Sequence, residues 1–263
     1  MRGWIPANSG RNGSQIASKE NRLTTWEEKF LRFVAERWVF KGTDPHDFRP
    51  RIVLMGFGED FISPLLKRHE HFGALYTGYL GERFVGYMRV PPGTVILEGV
   101  VRSLALTRVD TIIGLGTCGA LQEEIQCGDI VIADGAQAGD ALSPHYGFEP
   151  GQVIQADAAL SDSMAGYFRR RALPVHRGPI VTTGAIFRET EELVASWNQA
   201  GFLGVELEAS GLFALTNFLG MKATMGLLVT DSPIRQEICY VLHSKKRTAF
   251  IEGVTSFLSS PNI

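Results

Sequence analysis

Gly204–Ser232 reads GVELEASGLFALTNFLGMKATMGLLVTDS. Two glutamates, Glu206 and Glu208, stand just ahead of apolar residues at helical spacing: Leu212, Phe213, Leu215, Phe218 and Leu219. A short apolar run, Met225 to Val229, then leads into Thr230-Asp231-Ser232. An uninterrupted run of that length is the pattern of a strand buried on both faces, so the stretch predicts a helix followed by a central parallel strand. Open α/β sheets bind ligands beyond the carboxyl ends of such strands. Asp231 therefore falls where a sheet displays a functional carboxyl, and the glutamates precede a helix packed on the same sheet. Each acid alone has a plainer reading, since Asp is a favoured helix cap and turn glutamates are commonly solvated. The combination is what points to a site.

Working outward, the strand Thr111–Leu115 (TIIGL) is followed by Gly116-Thr117-Cys118-Gly119-Ala120. Small residues there suit either a tight turn or a close backbone approach to an anion. Gly114 to Gly119 matches G-x-G-x-x-G, with Asp134 beyond it. Only Ala120 to Gly128 separate that motif from the next strand, too few for a parallel crossover with its helix, so a dinucleotide site is not expected. Further strands are expected at Arg51–Met55, Asp129–Ala133 and Ile180–Thr183, and short antiparallel strands within Ala74–Val90. Helices are expected at Ser63–Phe72, where Ser63 caps and Pro64 opens the first turn, at Thr94–Leu106 and at Leu160–Ala172. This alternation predicts an α/β fold of three layers, a central mixed sheet flanked by helices. Residues 1–22 read as a flexible arm, 23–49 as an N-terminal helix and linker, and 50–263 as the main domain. Within Leu23–Phe40 the stripe Trp26, Phe30, Phe33, Val34 and Trp38 suits core or subunit contact, with Thr24 or Thr25 as the cap.

The chain has 263 residues, 44% hydrophobic and 21% charged, enough for one large domain with its own core. A net charge of -2 argues against a nucleic-acid partner. The three cysteines (Cys118, Cys127, Cys239) suit reduced thiols of a cytoplasmic protein rather than a disulfide framework. The six histidines have no metal-ligand spacing, and His69 and His71 would diverge on the expected helix, so no metal is expected. No apolar window suits a signal or a membrane span, and nothing calls for a cofactor.

Four ordered segments carry a resemblance. TIIGLGTCGALQEEIQCGDIVIADGA (111–136), IVTTGAIF (180–187), GVELEASG (204–211) and LLVTDS (227–232) resemble segments of the nucleoside phosphorylase superfamily. That superfamily includes purine nucleoside and uridine phosphorylases and the methylthioadenosine/adenosylhomocysteine nucleosidases, and the likeness covers about residues 50–255. It implies cleavage of the N-glycosidic bond of a purine-type nucleoside by a homo-oligomer. By resemblance Glu208 holds the ribose hydroxyls, with Glu206 beside it and Leu207 replacing the family's Met. Asp231 protonates the purine N7, Phe187 stacks on the base, and Lys246 assists, with Arg235, Lys245 and Arg247 as competitors for that place. Gly58, Gly116, Thr117 and Arg89 fall where substrate is bound, and Arg188 could read an acidic substituent.

The departures bear on the acceptor. Gly114 stands where the phosphorylases carry a phosphate-binding Arg, the first strand ends Gly56-Phe57-Gly58-Glu59-Asp60 without the G-D-P-x-R pattern, and Arg89-Val90-Pro91-Pro92-Gly93 replaces a Gly-rich loop. Lost charge-assisted bonds weaken phosphate binding. The residues thus lean slightly to water as acceptor, activated by Glu59 or Asp60. The alternatives are a phosphate site rebuilt from Thr117, Arg89 or a neighbouring subunit's arginine, and a nucleoside-binding protein without catalysis.

Overall fold

The computed structural model describes residues 24–239 and 245–260; the expected arm at 1–22 lies outside them. Eleven strands follow in order: β1 Ile52–Phe57, β2 Lys67–Phe72, β3 Leu75–Leu80, β4 Arg83–Val90, β5 Thr111–Ala120, β6 Ile130–Gly139, β7 Val153–Gln155, β8 Val175–Thr183, β9 Gly204–Glu206, β10 Lys222–Ser232 and β11 Glu237–Ile238. Six α-helices are described: α1 Thr25–Val34, α2 Leu97–Leu104, α3 Ala158–Arg170, α4 Glu191–Gln199, α5 Ala209–Leu219 and α6 Lys245–Leu258. None is long and apolar enough to cross a membrane.

Alternation along the central strands sorts the core into two faces, as a pleated strand requires. Val53, Met55 and Phe57 of β1 and Met225, Leu227 and Val229 of β10 pack with α2 and α5. Leu54, Ile113, Leu115 and Leu228 point the other way, against Met164 and Phe168 of α3 and Phe250, Val254 and Phe257 of α6. The expected three layers and mixed sheet are therefore present. Each fully buried Leu, Phe or Met contributes about 1.5–3 kcal/mol relative to exposure.

Part of the sheet closes on itself. β5 runs parallel to β10, β10 antiparallel to β6, β6 parallel to β8, β8 parallel to β9, and β9 antiparallel to β5. The other edge of β5 changes partner along its length. Thr111–Leu115 pair with β1, whereas Gly119 and Ala120 pair with β9. Gly116, Thr117 and Cys118 pair with neither, and a crevice opens there, as expected where a sheet switches topology.

Several expectations are corrected. Ser63–Phe72 is not a helix: a single 3₁₀ turn at Ser63–Leu65 is followed by the exposed edge strand β2. Pairing to β3 decides it, and strand geometry turns His69 and His71 to the same side, where both rings meet Tyr76. Gly116–Ala120 is not a turn but the second half of β5, held in the ladder to β10. Cys127 and Cys239 form a disulfide across a sequence separation of 112, leaving only Cys118 as a free thiol. The capping box at Thr24 and Glu27 confirms one expected cap. The buried face beyond it is Val34, Ala35, Val39 and Phe40, while Trp26 is 70% and Phe33 55% exposed.

Candidate active site

A cavity of about 230 Å³ occupies the crevice beside β5, lined by Thr117, Cys118 and Gly119, by Phe57, Gly58 and Glu59, and by four more acidic residues. Those are Glu189, Glu206, Glu208 and Asp231. A larger cleft of about 370 Å³ lies between the end of α1 and residues 42–46, but Glu36 and Asp44 there are exposed and no buried acid faces it. The smaller cavity is the one lined by buried acids.

One group of residues is built around the start of α5. Glu206 closes β9 and is buried. One of its oxygens accepts from the Thr182 hydroxyl; the other accepts from the amides of Glu208 (2.7 Å) and Ala209 (2.8 Å). Such amides at a helix start have no partner within the helix, and a carboxylate satisfies them while facing the positive end of the dipole. Glu208 is the N-cap residue of α5, and its Oε1 accepts from the amide of Gly93. Gly93 has φ 104°, a conformation glycine adopts without strain, which turns this N–H inward. Burial raises both carboxyls above the usual glutamate range, and Glu208 raises Glu206 further.

The second group gathers at the end of β10. A bulge between Val229 and Asp231 re-aims the strand, and Thr230 donates to Asp231 at 2.9 Å. Only glycine fits beneath: a Cβ on Gly119 would come within 2.6 Å of Asp231 Oδ2. Burial raises the Asp231 carboxyl. Cys118 is buried beside both groups; burial, then Asp231, then Glu206 push its thiol well up, so it stays a neutral thiol rather than a nucleophile.

The other sequence candidates divide clearly. Leu207, Thr117, Gly58 and Glu59 line the cavity. Asp60 does not; it caps the turn at Ser63, and although burial raises its carboxyl, hydrogen bonds from Ser63, Tyr87 and Ile62 together hold it low. Gly116 lies buried in β5 behind Thr117. Arg89 donates from Nε and Nη2 to the carbonyl of Gly58, at the cavity rim. Arg188 is exposed, and Lys246 of α6 donates to the Cys127 carbonyl; neither lines the cavity. Phe187 is 96% exposed, and its neighbour Ile186 lines the cavity instead. Both sit in one 3₁₀ turn, where successive side chains point about 120° apart, so a one-residue difference exchanges the inward position.

The sequence reading missed Glu189, Thr182, Pro92 and Gly93. Gly93 donates to Glu208, and Thr182 donates to Glu206 while its hydroxyl accepts from the Ser210 amide; no local pattern reveals these distant pairings. Glu189 looks like one more acid at the start of α4, where Glu191 and Glu192 follow.

Known proteins share long stretches of this sequence. A guanosine phosphorylase from Halorubrum lacusprofundi is 35% identical over 123 residues, covering 47% of this chain and 51% of that protein. A purine nucleoside phosphorylase from Colwellia psychrerythraea is 32% identical over 123 residues, 47% of this chain and 53% of its own. In both cases the match spans about half the relative's length. A purine nucleoside phosphorylase from Clostridium novyi is 27% identical over 186 residues, 68% of this chain and 78% of that one. The family model described as the phosphorylase superfamily matches residues 57–244, well over half of the sequence. With five acids gathered at the crevice of a mixed three-layer sheet, the chain belongs to the phosphorylase superfamily.

Proposed function

We propose that this protein cleaves the N-glycosidic bond of a purine-type nucleoside by phosphorolysis. The observation that carries the reading is that Glu208 and Asp231, 23 positions apart in sequence, line one cavity. As the bond breaks, positive charge builds on the ribose and negative charge on the base. Glu208 accepts hydrogen bonds from the ribose hydroxyls and opposes the sugar's charge; Glu206 fixes the Glu208 backbone and so positions it. Asp231 gives its proton to N7, and its burial helps it hold that proton until the base departs. The bonding pair of C1′–N9 leaves with the base, and an acceptor oxygen bonds to C1′.

Phosphate is the proposed acceptor because the relatives above are named phosphorylases. It would sit against the Thr117 hydroxyl and Gly58, with Arg89 at the rim. Glu59 in the same lining, and the lack of any Arg or Lys among the described lining residues, favour a second reading with water as acceptor. Base release from purine nucleosides, measured with and without phosphate, separates the two. Release only with phosphate, accompanied by ribose 1-phosphate, supports phosphorolysis. Equal release without it supports a nucleosidase, and nucleoside binding with no release removes the catalytic reading.

A further inference from the structure

The disulfide between Cys127 and Cys239 stands outside the cavity, yet it brackets the residues that aim Asp231. The two carbonyls of β10 just ahead of Asp231 are held by amides that sit beside the two sulfurs. Gly128, next to Cys127, donates to the Val229 carbonyl at 2.8 Å, and Cys239 itself donates to the Thr230 carbonyl at 2.8 Å. Ile238, the residue before Cys239, stands opposite Asp231 in the β10–β11 pairing. A closed ring therefore runs from Val229 through Gly128, Cys127 and Cys239 back to Thr230, around the bulge. Little else fixes β11 at this place. It is two residues long and exposed, with Ile238 78% exposed, so few buried apolar contacts oppose local opening. Arg235 fastens the turn end of the hairpin to the carbonyls of Glu123 and Ile125; the disulfide is the covalent tie at the Asp231 end. Both bridged cysteines are half-buried, whereas Cys118 is buried. A small dithiol can therefore reach this bond, as exchange requires.

We propose that the Cys127–Cys239 disulfide positions Asp231: oxidised, it holds the end of β10 so that the carboxyl meets the purine, and reduced, it frees β11 and slows the proton transfer. The inference rests on the reading of Asp231 as proton donor, which the Asp231→Asn variant tests separately. It concerns the backbone beneath that residue, whose side chain keeps its Thr230 donor. Reduction is a two-electron exchange with a dithiol. One thiolate of the reagent attacks a sulfur and the S–S bond breaks; the second thiolate then closes the reagent's own disulfide, leaving two protein thiols. Glu206 and Glu208 are anchored by Thr182 and Gly93, away from this hairpin, so the sugar's side of the cavity stays in place. The effect falls on kcat for a base that must be protonated, not on KM. Displacing a reacting group by about 1 Å costs up to about a hundredfold.

The test compares guanosine with N7-methylguanosine, whose base leaves without needing a proton. Rates are measured on the full chain with phosphate, before and after dithiothreitol, at a temperature where circular dichroism shows the reduced protein folded. Thiol titration of denatured samples should count one thiol before reduction and three after. Reduction should lower kcat for guanosine about tenfold to a hundredfold, with KM changed less than about twofold and the methylated nucleoside cleaved as before. Glutathione disulfide should restore the rate, and Cys239→Ser should start slow and respond to neither reagent. Three thiols before reduction, an unchanged guanosine rate once three are counted, or equal losses on both nucleosides would overturn the proposal. If the oxidised protein cleaves neither nucleoside, the glycosidic reading fails by itself. Hydrogen exchange then decides the role of the disulfide. Faster exchange of the Gly128 and Cys239 amides on reduction, with the Gly93 and Ala209 amides unchanged, supports it; unaltered exchange at Gly128 and Cys239 rejects it.

Discussion

The two halves of the cavity are built on different terms. Around the start of α5, Glu206 and Glu208 are buried and tied to Thr182, Gly93 and two helix amides before any ligand arrives. At the end of β10, Asp231 has one hydroxyl donor and Glu189 none among the described residues, and Ile186 and Phe187 stand largely exposed beside them. The first half is preorganised, so its geometry costs little at the moment of reaction. The second offers unfilled hydrogen-bonding capacity. A fixed half suits the sugar that all nucleosides share, and an unsatisfied half suits the base that distinguishes them.

That contrast can be broken most forcefully at Glu208. Glu208→Ala should lower kcat about a hundredfold to a thousandfold, the size of losing one preorganised electrostatic contact, and do so alike for every base cleaved. A base-dependent loss would erase the division between the halves. Glu206→Gln should act on the fold first. Its amide group would set an N–H against a donor, leaving a buried group unpaired at about 1–3 kcal/mol. A calorimetric melt should show a drop of several degrees, at about 2–4 °C per kcal/mol for a chain approaching this size.

The same buried glutamates give the unliganded protein a pH dependence. Their folded carboxyls are raised by burial, so the unfolded chain gives up these protons at lower pH than the folded one. Their contribution to stability is present near and below the ordinary glutamate value and is lost as pH rises through the raised folded values. Melting temperature should therefore fall by a few degrees between about pH 5 and pH 8. Glu208→Gln should flatten the slope; an unchanged slope would place the titration elsewhere. The smallest effect is expected in the outer turn. Phe187→Ala should change KM less than about twofold, because an exposed ring loses no buried area, while Ile186→Ala should raise it more. The reverse order would restore Phe187 as the ring that stacks on the base.

How much of this was legible in the sequence follows the same division. Glu206, Glu208 and Asp231 could be read because each is locked to a local pattern: a helix start or the end of an apolar strand. The edge strand β2 was not legible, because Lys67–His71 is exposed on both faces and shows no period-two alternation. Gly116 and Gly119 suggested a turn, yet they lie in β5 beside Met225 and Asp231, whose atoms crowd where a Cβ would stand. Spacing could not pair Cys127 with Cys239, since the fold alone brings positions 112 apart to a Cα separation of 6.1 Å. Glu189 was hidden among its acidic neighbours, and only a three-dimensional view shows which of them turns inward.

The central claim is that Asp231 supplies the proton a purine needs in order to leave. Base release by Asp231→Asn should be compared on guanosine and on its N7-methylated counterpart, whose base already carries the positive charge that protonation would confer. The account predicts a loss of about a hundredfold or more on guanosine and near wild-type release from the methylated nucleoside. Equal losses on both, or full activity on guanosine, would contradict it.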